Sequence, residues 1–216
     1  MLKQTLICLS LTFSIAASAA TVSHYGYTLN TDTNIVTGGG LQWLQWDETL
    51  GMTLSQVQST YSTNGWRLAT NSEMAALFNS FNFDYTFVVA ENTPQLVNFN
   101  DPIDAPGPAD EFISLFGDAT VISGRFLGSN GSLIFGVFGD DADGDQGYNV
   151  ARVGENLIFS EGGAELTQDY ITDAFVGDGF TGYALVRAVP IPAAAWLFGS
   201  ALAGLSMSRR ILKRRH

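Results

Sequence analysis

Along the first third of the chain the spacing of apolar residues changes period twice. "YGYTLNTDTNIVTGGGLQWLQW" alternates apolar and polar positions, which predicts short strands with a turn at Gly38-Gly39-Gly40. In "TLSQVQSTYSTNGW" the period becomes helical. Leu54, Val57 and Tyr61 share one face, Thr53 stands three residues ahead of Gln56 as a capping box, and Asn64-Gly65 is a stop signal. "TNSEMAALFNSF" repeats the device, with Thr70 and Glu73 at the start and Met74, Leu77 and Phe78 on one face. After Phe81 the pattern breaks into short apolar runs punctuated by Gly, Asp and Asn: "YTFVVA", "ATVISGRFL", "SLIFGVFG", "YNVARVG", "NLIFSE" and "GYALVRAV". These predict strands. Two short early helices followed by many strands give an α+β class with a mainly antiparallel β body.

The two ends do not follow this pattern. "MLKQTLICLSLTFSIAASAA" has a positive start at Lys3, an apolar run too short to span a bilayer, and an A-x-A site at Ala17-Ser18-Ala19. That is the layout of a secretory signal peptide over residues 1–19, against the alternative of a buried N-terminal helix. At the other end, Ile191 to Met207 carries no charge and is followed by Arg209, Arg210, Lys213, Arg214 and Arg215. An apolar run of that length sits near the lower limit for a transmembrane helix, and the basic cluster would hold its end in the cytoplasm. The alternative is a hydrophobic helix packed on the domain, for which five basic residues in seven are an odd cap. Between the ends, residues 20–188 read as one extracytoplasmic domain, with no internal repeat, linker or charge block.

"VPIPAAAWLFGSALAGL" followed by "SRR" resembles the C-terminal sorting signal of the PEP-CTERM class, in its VPLPA variant. Val189, Pro190, Ile191, Pro192 and Ala193 occupy the motif, with Ile191 where Leu is usual and no Pro-Glu-Pro core. The resemblance covers residues 189–216 and implies recognition by an exosortase, a membrane processing enzyme of bacteria that often make exopolysaccharide. It further implies transient membrane anchoring, removal of the tail, and delivery to the cell surface, biofilm matrix or medium. A second resemblance lies in the body. "GLQWLQWDET", "GWRLATNSEMAALF" and "GYALVRAV" are similar to blocks of a secreted bacterial domain of unassigned function, related in appearance to C-type-lectin-like and formylglycine-generating-enzyme-like folds. The matching residues are Gly40, Leu41, Trp43, Gly65, Trp66, Arg67, Leu68, Thr70, Glu73, Leu185, Val186 and Arg187; Ala69 replaces the usual Pro, and the family's cysteines are missing.

Removing both ends changes the charge. The full chain carries −11, but all 21 Asp and Glu lie in the body, with only Arg67, Arg125, Arg152 and Arg187 against them, which makes the body −17. Such a surface repels polyanions and excludes nucleic-acid binding, which draws on Lys and Arg contacts to phosphate. It attracts divalent cations instead. The single Cys8 lies in the signal segment, so the body has no disulfide, thiol nucleophile or thiolate metal site.

Two sets of residues carry candidate chemistry. Asp141, Asp143 and Asp145 in "FGDDADGDQGYN" alternate with small residues as oxygen-ligand calcium loops do. Gln146 and Arg152 stand where an EF-hand needs Gly and Glu, so the choice is between a looser calcium loop and an acidic hairpin turn. Trp43, Trp46 and Trp66 form either a sugar-stacking platform or part of the core, while Arg67 and Arg187 are candidates for pairing with carboxylates. Trp66, just ahead of Thr70, is expected to pin the second helix to the sheet. Catalytic signatures are sparse: His24 stands near the start of the body, His216 leaves with the tail, and no G-x-S-x-G elbow occurs. Three functions stand: an exported, non-catalytic surface or matrix protein working with exopolysaccharide or matrix proteins; a calcium-dependent lectin-like module; and a carboxylate-dependent hydrolase. The first is the expectation.

Overall fold

Four short strands open the body as successive antiparallel hairpins: β1 (Thr21–His24), β2 (Tyr27–Asn30), β3 (Ile35–Gly38) and β4 (Leu41–Leu44). Their alternation turns Tyr27, Leu29, Val36 and Trp43 inward, and all four are buried. The β3–β4 turn needs positive φ at both central residues, and Gly39 and Gly40 take φ of 60° and 79°. The computed structural model describes residues 19–89, 93–101, 105–117, 132–139, 147–156, 161–169 and 181–190.

Both predicted helices form with their caps. In α1 (Leu54–Tyr61) the Thr53 side chain accepts the Gln56 amide while Gln56 accepts the Thr53 amide; α2 (Asn71–Ser80) is closed the same way by Thr70 and Glu73. The two-residue strand β5 (Arg67–Leu68) lies between them. A third helix, α3 (Pro108–Phe116), follows β6 (Gln95–Asn100). Its start carries Pro108 and an Asp110 side chain that accepts the Gly107 amide at 3.0 Å.

The remaining strands are β7 (Leu133–Phe138), β8 (Tyr148–Asn156), β9 (Glu161–Asp169), β10 (Thr181–Tyr183) and β11 (Leu185–Ala188). Among the described residues they complete two sheets, β1-β2-β3-β4-β11-β5 and β10-β7-β8-β9-β6, antiparallel at every pairing except β10 with β7. The class is α+β. Only Ala184 separates β10 from β11, so the chain passes from one sheet to the other across a single residue. That residue ties them: its amide donates to the Val137 carbonyl at 2.9 Å and its carbonyl accepts from Ala69 at 2.8 Å.

The main core is aromatic. Phe78, Phe81, Phe83, Phe112 and Phe116 pack with Trp43 and Trp46, the closest pair being Phe112 and Phe116 at 4.6 Å between ring centres. A second cluster joins Leu54 and Val57 of α1 to Trp66, Val137, Val150, Tyr183 and Leu185.

β1, β5 and β6 form outside the runs predicted as strands, and three further departures have a visible physical cause or signal. "YTFVVA" forms no strand over its described residues 85–89, because side-chain amides take the hydrogen bonds a neighbouring strand would supply. Asn79 brackets the Phe87 backbone at 2.7 and 2.8 Å, and Gln95 brackets Val88 at the same distances. β9 contains Gly162 and Gly163, poor strand formers, yet Phe99 of β6 fills the space where a Gly162 side chain would stand. α3 was the third departure, its face of Ala109, Phe112, Ile113 and Phe116 lying inside a stretch assigned to strands and turns. "ATVISGRFL" lies outside the described residues, as does most of "NLIFSE".

Candidate functional site

The three tryptophans separate by burial. Trp43 on β4 and Trp46 in the 3₁₀ turn Trp46–Thr49 are 1% and 0% exposed, in the main core, and have no ring face on which a ligand could stack. Neither indole N–H has a hydrogen-bond partner among the described residues. Trp66 lies in the second cluster and therefore pins α1, not α2, to the sheets. The Arg187 guanidinium covers it, 4.4 Å from the ring centre, while donating to the Gln42 side chain at 2.9 Å and the Asn64 carbonyl at 3.4 Å. Arg187 thus stacks on an aromatic ring, where the sequence suggested a carboxylate. Arg67 does take a carboxylate: its two terminal nitrogens bind Glu73 at 2.8 and 2.7 Å, and this guanidinium holds the Glu73 carboxyl below its ordinary range.

Beside Trp66 opens a groove of about 390 Å³ between α1, β5 and the start of β8. Tyr61, Trp66 and Tyr148 supply rings to it; Gln58, Arg67 and Thr70 supply hydrogen-bonding groups. Tyr61 is half-buried and donates to the Glu48 carbonyl at 3.3 Å; burial first, and then the Glu48 charge, raise its phenol above the ordinary value. No Asp, Glu or His is among the described residues that line the groove. It offers ring surface and hydrogen bonds, the combination that suits a sugar.

A second constellation lies elsewhere. Asp101 just after β6, Asp110 in the first turn of α3 and Glu155 near the end of β8 bring carboxylate oxygens within 4.8 Å of one another. Asp101 is 4% exposed and Glu155 7%, and neither Asp101 oxygen has a hydrogen-bond partner among the described residues. Burial, then the Asp110 charge, push Asp101 up to about 6; the Ala109 amide offsets part of this, and Glu111 adds to the rise. Burial, then the hydrogen bond shared with Asp110, push Glu155 up to about 7, against a smaller opposing effect of Ser132. The neighbouring Glu111 is engaged by His24, whose Nδ1 lies 3.1 Å from Oε1. Such a cluster can hold a proton or a cation. The three residues come from positions 101, 110 and 155 with no motif spacing, and only the strand pairing and α3 unite them.

Asp141, Asp143 and Asp145 lie outside the described residues, as do Ile191, Pro192, Ala193 and the basic residues Arg209, Arg210, Lys213, Arg214 and Arg215. Val189 and Pro190 are described; both are exposed and follow β11 directly. No helix among the described residues is long and apolar enough to cross a membrane. Neither a family model, a curated protein nor a solved structure matches the chain.

Proposed function

We propose that this chain is an exported surface or matrix protein, processed at its C-terminus by an exosortase-type enzyme, whose body binds extracellular polysaccharide without catalysing a reaction. The observation that carries the binding role is the groove in which Tyr61, Trp66 and Tyr148 stand beside Gln58, Arg67 and Thr70. Sugar rings present apolar C–H faces and a rim of hydroxyls, and this lining offers a counterpart to each. The body charge of −17 favours a neutral polysaccharide over an acidic one. Export and sorting are supported by the sequence at both ends, and by Val189 and Pro190 standing exposed as soon as β11 ends.

Two measurements test this. Titration with neutral polysaccharide from the producing cells, followed by tryptophan fluorescence, should show saturable binding that weakens at least tenfold in Tyr61→Ala and Tyr148→Ala, about 1.4 kcal/mol for a lost stacking contact. Equal binding by both variants removes the groove from the proposal. Intact mass of the protein recovered from the cell surface and medium should lack residues 1–19 and the segment beyond the Val189–Ala193 motif; a mass retaining the apolar tail means simple membrane anchoring.

Calcium-dependent carbohydrate binding is favoured by one observation. Gly139 and Tyr148, which both line the groove, flank in sequence the stretch that holds Asp141, Asp143 and Asp145. Loss of polysaccharide binding in Asp141→Asn/Asp143→Asn/Asp145→Asn would select this reading.

A further inference from the structure

The cluster of Asp101, Asp110 and Glu155 has more charge than its surroundings answer. All three belong to segments that pack together, and their carboxylate oxygens converge to within 4.8 Å. Asp101, 4% exposed, points into this convergence with both oxygens unpartnered, and a buried ionised carboxylate in that state is costly unless something neutralises it. The start of α3 supplies a positive influence, but a helix end carries only about half a unit charge, and Asp110 already uses one oxygen to cap it. Fully ionised, three carboxylates exceed that by more than two charges. The arrangement is distinct from the groove and independent of the polysaccharide reading.

We propose that Asp101, Asp110 and Glu155 form a calcium site that ties α3 to the β6–β9–β8 side of the second sheet. The donor set is all oxygen, which suits a hard cation and excludes ions that prefer sulfur or imidazole. Three protein carboxylates suit calcium, which takes many oxygen ligands in flexible geometry, over magnesium, which keeps several waters and is held by one or two carboxylates. Oxygens that all lie within 4.8 Å of one another can reach a single such ion. The site links the end of β6, the first turn of α3 and the end of β8. A body without cysteine has no disulfide for that task. Modules that meet calcium outside the cell need only a weak site, with Kd of order 10⁻⁴–10⁻³ M.

The test is a calcium titration of the full chain purified in detergent and stripped with chelator, read by thermal unfolding. At about a hundredfold excess over Kd the melting temperature should rise by roughly 5–10 °C. The rise should vanish in Asp101→Asn and in Glu155→Gln, and persist in Asp141→Asn/Asp143→Asn/Asp145→Asn. No rise in the unmodified chain, or a full rise in Asp101→Asn or Glu155→Gln, overturns the assignment. Should either single variant fail to fold, manganese bound to the Asp141→Asn/Asp143→Asn/Asp145→Asn variant decides the matter by electron paramagnetic resonance. One ion displaced by calcium supports the site, and no bound ion refutes it.

Discussion

Without a cation, the Asp101–Asp110–Glu155 cluster should make the body less stable as the pH rises, and Glu155→Gln should abolish much of that loss. The sign follows from where the protons sit. Both Asp101, at about 6, and Glu155, at about 7, hold protons in the folded chain that the unfolded chain has already lost, so the stabilisation is complete at low pH and disappears as pH climbs through those values. Each pH step over which this difference lasts costs about 1.4 kcal/mol. From pH 5 to 7.5 Asp101 contributes about one such step and Glu155 about two, about 4 kcal/mol if independent. Asp110 repels both and Glu111 repels Asp101, so the effects overlap and a fall of about 2–4 kcal/mol is expected. Glu73, held low by Arg67, tilts the profile the other way, but only below about pH 4.5, outside this window. The assay is urea unfolding in chelator at pH 5, 6 and 7.5. Glu155→Gln should halve the slope and be the more stable form at pH 7.5 by roughly 2 kcal/mol, since it removes a buried charge and relieves Asp101. A wild-type profile that is flat or rising from pH 5 to 7.5 would refute the reasoning, as would a variant weaker than wild type at pH 7.5.

Two further substitutions probe the scaffold. Thr70→Ala removes the hydroxyl that accepts the Glu73 amide at 3.2 Å and should cost about 1 kcal/mol in urea unfolding, with no change in the denaturant slope. Gly182→Ala is harsher. A side chain there would fall on the Trp46 carbonyl, a backbone atom that cannot step aside, so a loss of about 3 kcal/mol or more is expected, seen as a large drop in the melting temperature.

What could be read from the sequence depended on how local the controlling interaction is. The capping boxes at Thr53 and Thr70 span four residues each, and both helices appear where those residues place them. The glycine turn before β4 is equally local. "YTFVVA" misled because its hydrogen bonds go to Asn79 and Gln95, side chains outside the run. β9 was hidden because Gly162 suits a strand only when Phe99 crosses it. α3 could have been found: Pro108 at the first helical position and Gly117 after the last mark its ends, and Ala109, Phe112, Ile113 and Phe116 give the period. The candidate sites divide likewise. Trp66 and Arg67 were visible as a block, but the groove depends on Tyr148, eighty-odd positions away. The acidic cluster joins Asp101, Asp110 and Glu155 through strand pairing that no spacing encodes.

The two sites stand at opposite ends of one strand, and this separates a cation that supports the fold from one that touches the ligand. Tyr148 begins β8 and Glu155 lies seven residues on, which at about 3.3 Å per residue places the ends about 23 Å apart. Calcium at the cluster therefore has no direct contact with a sugar in the groove. It acts on binding only by keeping the second sheet folded, since β8 is the central partner of β7 and β9. Chelation well below the melting temperature should then leave polysaccharide affinity within twofold, while lowering the melting temperature by the amount that calcium raised it. Affinity measured by fluorescence at 10 °C, with and without chelator, reads the first effect, and thermal unfolding of the same samples reads the second. A tenfold loss of affinity at 10 °C with no loss of folded protein would place a cation in the groove itself, whose lining residues Gly139 and Tyr148 flank Asp141, Asp143 and Asp145 in sequence. It would show that the ligand, and not only the sheet, is held by calcium.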